Sequence, residues 1–394
     1  MNKSVTIIGA GPTGLSCAYY FSEKGYRVTV IENSNQPGGL AKGVEFNNEY
    51  FDLGPHSFYS NYSNESIQLF KKFIGKNNYT KTNINKIVAT KRSLFSVPFK
   101  IKDIFRKKNF FFFVSYFIFR QKYISKKITK PYISKYFGLP KKEISTLFEE
   151  LLYDNTENSD NTLYTPASSG TFIIWKNLYY YLQKEGVLFK FNTSISKFKV
   201  EDNHIKNITL NTKESININK IISTIPLKHI YSKISGKTWN FNLDYRSSIL
   251  IYMDVKSIKT DALYYTNYDP NNALGRINFS SNWKKSSKNN VITLEFWCNE
   301  HDDIFSSDEK NLKSLAINSI KSLSFIKPND NPNFKIIRIQ KCFPILTKGY
   351  EKELNKINSE VGKIKNLRLA GRHGNFKWDG VNDSINRAIE LANE

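Results

Sequence analysis

Residues 4–14 read Ser-Val-Thr-Ile-Ile-Gly-Ala-Gly-Pro-Thr-Gly. The run from Ser4 to Ile8 is continuously β-rich, as a parallel strand buried on both faces requires. Gly9, Gly11 and Gly14 follow as G-x-G-x-x-G, and Leu15 to Lys24 takes helical spacing through Leu15, Ala18, Tyr19 and Phe21. Gly25 closes that helix as its C′ glycine, and Tyr26 to Glu32 forms a second strand. Each glycine answers a separate need. Gly9 permits the tight turn, Gly11 lets the backbone approach a pyrophosphate, and Gly14 lets helix and strand pack closely. Pro12 and Thr13 open a helix whose free N–H groups and positive end face the phosphates. Glu32, eighteen residues after Gly14, is placed to accept hydrogen bonds from ribose hydroxyls, and its charge disfavours a 2′-phosphate. Three glycines alone are a weak signal, but strand, turn, helix and acidic residue together make a dinucleotide-binding fingerprint.

Past Glu32, residues 33–41 (Asn-Ser-Asn-Gln-Pro-Gly-Gly-Leu-Ala) add the pair Gly38 and Gly39, followed by Leu40. Residues 51–57 (Phe-Asp-Leu-Gly-Pro-His-Ser) add a third turn, containing Gly54, Pro55 and His56. A cofactor longer than its nucleotide half needs these further close approaches, whereas a nicotinamide-only domain has no use for them. The series resembles the signature of the flavin amine oxidase, protoporphyrinogen oxidase and UDP-galactopyranose mutase group. The resemblance runs along the chain in patches. Residues 53–58 look like the mutases' Gly-Pro-His-x-Phe turn, 94–101 their "VPF" segment and 130–140 their "KPY…WGxP" stretch, and 222–226 are similar to the strand that returns to the cofactor domain. Residues 366–374 (Asn-Leu-Arg-Leu-Ala-Gly-Arg-His-Gly) and 379–385 (Asp-Gly-Val-Asn-Asp-Ser-Ile) are similar to the group's C-terminal flavin motif.

The resemblance implies FAD as cofactor, with Gly371, Arg372, Val381 and Asn382 beside the flavin. None of Cys17, Cys298 and Cys342 lies between Gly371 and Gly380, so the FAD is expected to be non-covalent. A helix starting near Ser384, with Asp383 or Ser384 as N-cap, would aim its positive end at a reduced flavin. A capped helix packing on the sheet is the plain structural reading, and the two are compatible.

The expected fold is α/β: a Rossmann-like FAD-binding domain with a β-meander insertion, plus a mixed α+β substrate domain formed from interleaved segments. The boundaries read as 1–65, 190–230 and 360–394 for the first, and 66–189 and 231–359 for the second. A length of 394 residues with 40% hydrophobic content agrees with about two soluble domains. Strands are expected over 187–225 as a meander, at 248–255 and at 291–298, and helices at 308–324 and 384–392.

Lys+Arg number 58 against 35 Asp+Glu, a net charge of +23. That excess fits an anionic partner, and equally a nucleotide-biased composition that favours Lys, Asn, Ile, Phe and Tyr. The cysteines lack metal or disulfide spacing, which favours a reducing, cytoplasmic setting. No signal peptide is expected ahead of Val5. The aromatic run at 109–119, within the basic stretch 106–130, is too short to span a bilayer and reads as peripheral membrane contact or as buried core.

His56 and Arg276 are the candidate catalytic residues. His56 could act at the flavin or merely hydrogen-bond the backbone. Arg276 offers a planar fork for phosphate, in a chain where arginine is scarce. Tyr164, Trp175, Arg246 and Tyr350 could grip a nucleotide sugar or could be structural. Two activities follow for a small-molecule substrate. One is an FAD-dependent oxidoreductase passing hydride to flavin N5; the other is a pyranose/furanose mutase acting on a nucleotide sugar with reduced FAD. No basic stripe interleaved with aromatics points to nucleic acid.

Overall fold

A computed structural model describes residues 3–75, 78–90, 94–97, 131–146, 162–167, 169–283 and 287–394. The basic aromatic stretch 106–130, most of the Asn-rich loop 154–162 and half of the 94–101 segment lie outside the described residues.

The first unit is a five-stranded parallel sheet. Its strands are β1 (Ser4–Ile8), β2 (Arg27–Ile31), β3 (Leu188–Lys190), β4 (Lys220–Ser223) and β5 (Leu367–Leu369), in the order 3-2-1-4-5. Alternate residues of the strands feed two cores, so both faces are covered. On one face, Val5, Ile7, Val28, Val30 and Ile222 pack under α1 (Pro12–Glu23), α3 (Phe172–Lys184) and α4 (Val381–Asn393), with α2 (Asn64–Ile74) alongside. On the other, Ile8, Ile31 and Ile221 pack under a three-stranded meander and the helices Leu227–Ser235 and Tyr350–Val361.

The expected fold class is therefore observed, with one change inside it. Only Ile195–Glu201, His204–Leu210 and Ser215–Asn217 form the meander. Residues 188–190 and 220–223, expected to continue it, pair in parallel with β2 and β1 instead. The expected boundary near 190 thus falls in an edge strand of the parallel sheet.

The second unit is an eight-stranded sheet built around the long strand Tyr245–Ile258, flanked by Val291–Cys298 and Phe334–Pro344. Its core (Ile249, Ile251, Met253, Leu294, Phe296) is covered by the helix Glu309–Ile320. The strands expected at 248–255 and 291–298 and the helix expected at 308–324 are present here. Among the described residues, no helix is long and apolar enough to cross a membrane.

Four of the residues considered for sugar binding lie in the interior. Trp175 is 1% exposed, Arg246 4%, Tyr164 7% and Tyr350 8%. Arg246 donates Nε to the Tyr136 carbonyl at 3.0 Å, Nη1 to Asn299 Oδ1 at 2.6 Å and Nη2 to the Trp297 carbonyl at 3.1 Å. It fastens residues 131–137 to the large sheet and has its fork already occupied. Arg246→Met should leave those acceptors buried without partners and lower stability by about 3 kcal/mol or more. A fall in the urea midpoint measures this, and Arg246→Lys should recover only part of it.

Candidate functional site

The carboxyl ends of β1, β2, β4 and β5 open into a single crevice where the strand order reverses, the position at which open α/β sheets bind ligands. Gly9 leaves β1 at φ +103°, a conformation that suits glycine, and its N–H donates to the Ile31 carbonyl at 2.8 Å. A Cβ at Gly14 would overlap the Gly9 carbonyl, so α1 can start this close to the strand only with glycine there. A Cβ at Gly11 would meet nothing nearer than the Gly39 Cα at 3.9 Å, so space beside Gly11 lies open. Gly38 donates its N–H to the Ala10 carbonyl at 2.8 Å, which brings the Gly38-Gly39 pair onto the fingerprint turn.

Glu32 ends β2 and reaches across to the same turn. Its Oε2 accepts the Ala10 N–H at 2.7 Å, while Oε1 accepts the Ser34 N–H at 2.8 Å and the Ser34 hydroxyl at 2.7 Å. A carboxylate has about four acceptor positions, so one remains for a ribose hydroxyl. Glu32 therefore organises the turn as well as facing the crevice, a role the spacing did not reveal.

The C-terminal motif arrives from the other side. Gly371, at φ +74°, stands where a Cβ would come within 2.5 Å of Thr13 Oγ1, and Thr13 donates to Ser384 Oγ at 2.9 Å. The helix expected from Ser384 begins earlier, at Val381, with Gly380 as N-cap. Asp383, expected as the cap, instead sits at the third helical position and accepts the Gly380 N–H at 2.7 Å. Ser384 turns its hydroxyl back to the Gly380 carbonyl at 2.9 Å. The helix N-terminus nevertheless faces the crevice side of α1. Val381 is buried in the core beneath it, and Asn382 Oδ1 accepts the N–H of Ser63, the N-cap of α2, at 3.1 Å. Leu40 packs on the hairpin 43–52.

Gly54, at φ +74°, turns the chain so that Pro55 and His56 enter the space between the two units. His56 Nδ1 lies 3.3 Å from the Gly54 carbonyl oxygen. Burial, then the positive fields of Arg372 and Arg276, push the imidazole down to about 4, so it is neutral at neutral pH. Arg276 opens its strand opposite Glu295, to which it donates Nε at 2.8 Å and Nη2 at 2.6 Å. Glu295 is only 6% exposed. This partner was not visible in sequence, because cross-strand pairing has no local signature. Arg372 donates Nε to the Asp379 carbonyl at 2.9 Å and lies 5.7 Å from the Trp378 ring centroid. His56, Arg276 and Arg372 are thus close enough to act on one another electrostatically, and Glu295 balances one of the two cations.

The crevice and its glycine turn have Rossmann-type geometry, and residues 7–73 match the family model described as an NAD(P)-binding Rossmann-like domain. Residues of this chain are 45% identical over 60 positions to coproporphyrinogen III oxidase of Staphylococcus aureus, covering 15% of this chain and 13% of that protein. Among solved structures, the chain is similar over its full length to a reduced UDP-galactopyranose mutase, with TM-score 0.76 at 20% identity and 93% of that chain covered. It is likewise similar to a protein of Exiguobacterium sp. 255-15 assigned as a protoporphyrinogen oxidase, with TM-score 0.73 at 14% identity, covering all of this chain and 98% of the other. The resemblance read from the motifs is thus borne out in the fold.

The two inner glycines should separate folding from binding. Gly11→Leu should leave thermal stability near that of the parent and weaken dinucleotide binding about a hundredfold or more, roughly 2.7 kcal/mol. Gly14→Ala should instead lower the melting temperature of the protein itself, as seen by thermal denaturation with and without added dinucleotide.

Proposed function

We propose that this chain is an FAD-dependent oxidoreductase that holds its FAD non-covalently. In this reading residues 1–65, 190–230 and 360–394 form the cofactor-binding part, joined on the same sheet by α2, α3, β3 and the helix Tyr350–Val361, and the rest of 66–189 and 231–359 forms the substrate-binding part. The observation that carries it is the cradle: open space at Gly11, the Gly38-Gly39 pair against it, and Gly371 on Thr13 beyond it. These approaches continue past the point where a nucleotide half would end. The likeness to an oxidase over 60 residues supports the same class.

When bound, the flavin supplies hydride acceptance at N5. The chain supplies position and field. Gly9, Gly11, Pro12, Thr13 and Gly14 receive the pyrophosphate at the N-terminus of α1, and Glu32 takes a ribose hydroxyl. Gly54, Pro55 and His56, with Gly371, Arg372 and the N–H groups of Val381 and Asn382, would hold the flavin. Arg372 and the positive end of α4 favour negative charge there. His56, neutral and half-buried, keeps Nε2 as a proton acceptor.

The fold likeness to a UDP-galactopyranose mutase, with Arg276 and Arg372 both near His56, favours isomerisation of a nucleotide sugar as the second reading. Denaturing the purified protein should release intact FAD, identified by chromatography. A colourless protein that cannot be reconstituted with FAD would sink the proposal. Anaerobic substrate addition should bleach the visible flavin absorbance if the first reading holds. Turnover of a nucleotide sugar by dithionite-reduced protein, followed by product analysis, would select the second.

Arg276 sharpens that choice. For a diphosphate substrate, Arg276→Lys should raise KM about tenfold or more, roughly 1.5–3 kcal/mol for a charge-assisted bond, with flavin content unchanged. For an apolar or amine substrate, the same change should leave KM within about twofold, a small fraction of the 1.4 kcal/mol that a tenfold change represents.

A further inference from the structure

Beneath the His56 turn lies a cavity of about 20 Å³ lined by Asp52, His56, Asn278, Ser280, Trp283 and Tyr50, among others. That is room for one water molecule, which needs two to four polar partners to stay. Asn278 is 6% exposed, and its Oδ1 has no hydrogen-bond partner among the described residues, while its Nδ2 donates to Ser280 Oγ at 3.4 Å. An unpaired buried acceptor of this kind costs about 1–3 kcal/mol unless something donates to it.

Asp52 is held rigidly at the cavity wall. Its two carboxylate oxygens accept the N–H groups of Thr171 (2.9 Å) and Phe172 (2.7 Å) at the start of α3, the Thr171 hydroxyl also bonds the carboxyl, and acceptor capacity remains. Loss of solvation outweighs those bonds and pushes the carboxyl up to about 6. His56, with Nδ1 directed at the Gly54 carbonyl, keeps Nε2 as its acceptor. The other ionisable groups against the pair are Tyr252, which donates to the Asp52 main-chain carbonyl at 2.6 Å, and Tyr264, 3.1 Å from Ser57 Oγ. Burial holds both phenols above their ordinary range, and Glu45 does the same for Tyr50. Arg276 and Arg372 act on His56 from the crevice side. None of the tyrosines competes for a proton near neutral pH.

We propose that this cavity is a water site, and that the water held there by Asn278 Oδ1 relays protons between the Asp52 carboxyl and Nε2 of His56. In the forward step the carboxyl O–H bond breaks as its proton passes to the water oxygen. The water gives one of its own protons to Nε2, forming an N–H bond and leaving a carboxylate, an imidazolium and an intact water. The reverse step restores all three. Asp52 is thus a proton store for Nε2 of His56. The relay rests on the reading of His56 as a flavin-side residue.

The test reads the imidazole directly, in full-length protein labelled with ¹⁵N-histidine, so flavin content does not enter it. The Nε2 resonance of His56, assigned by its loss in His56→Gln, should show a step with a midpoint near the Asp52 value of about 6, although His56 itself stays unprotonated there. Asp52→Asn should abolish the step. That variant sets an amide against a helix-capping N–H, so Asn278→Leu, which fills the cavity and leaves the cap intact, carries the test where Asp52→Asn does not fold. It should cut the step to less than half. A parent protein with no step, or an undiminished step in Asn278→Leu, overturns the relay. A normal step in a protein that cannot bind FAD overturns the flavin reading and leaves the relay standing.

Discussion

Gly9 and Gly14 meet backbone to backbone, with no room for a side chain between the carbonyl of one and the Cα of the other. Everything at the crevice is referred to that contact. It sets where α1 begins, hence where Thr13 stands, and Thr13 in turn receives Gly371 and Ser384 from the far end of the chain. The turn is also held from outside, by Gly9 N–H on Ile31, Gly38 N–H on Ala10 and Ala10 N–H on Glu32. These bonds fix the cradle before any ligand arrives. A ligand that meets a preorganised cradle does not have to order it, which preserves affinity.

The charge balance across the crevice is finer than the net +23 implies. Arg276 shares its position with Glu295, and a buried pair of this kind is strongly destabilised when one partner is removed alone. Arg372 has a main-chain carbonyl and a Trp face rather than a carboxylate, so its positive charge is not cancelled by its nearest partners. His56 stays neutral between the two cations because burial and like charge act in the same direction. The two arginines therefore act on an imidazole that does not titrate near neutral pH.

What could be read from sequence was what depends on local backbone geometry. The glycine turn and the two long strands near 250 and 295 announce themselves, because φ > 0, close approach and continuous β-branched runs are properties of a few consecutive residues. The cap of α4 was misread by three residues: Asp383 is a good capping residue by type, yet it serves from inside the helix through the Gly380 N–H. The strands 188–190 and 220–223 look like meander strands because hydrophobic pattern does not encode which neighbour a strand pairs with. Glu295, Asp52 and the saturated donors of Arg246 were out of reach for the same reason. The partners of Asp52 are 119 and 120 positions away, and only the tertiary fold brings them together.

The hydrogen bond between Thr13 and Ser384 joins residues 371 positions apart. β5 and α4 complete a sheet and a helical layer whose members β1 and α1 lie more than 340 positions earlier in the chain. Until β5 arrives, the free edge of β4 is a parallel template with Ile221 and Ile222 bare. A nascent chain can thus collapse around the large, mostly antiparallel sheet before its Rossmann layer is finished. Closure of so long a loop makes the final docking a late, high-contact-order step. A waiting β4 edge is an open strand template until β5 docks.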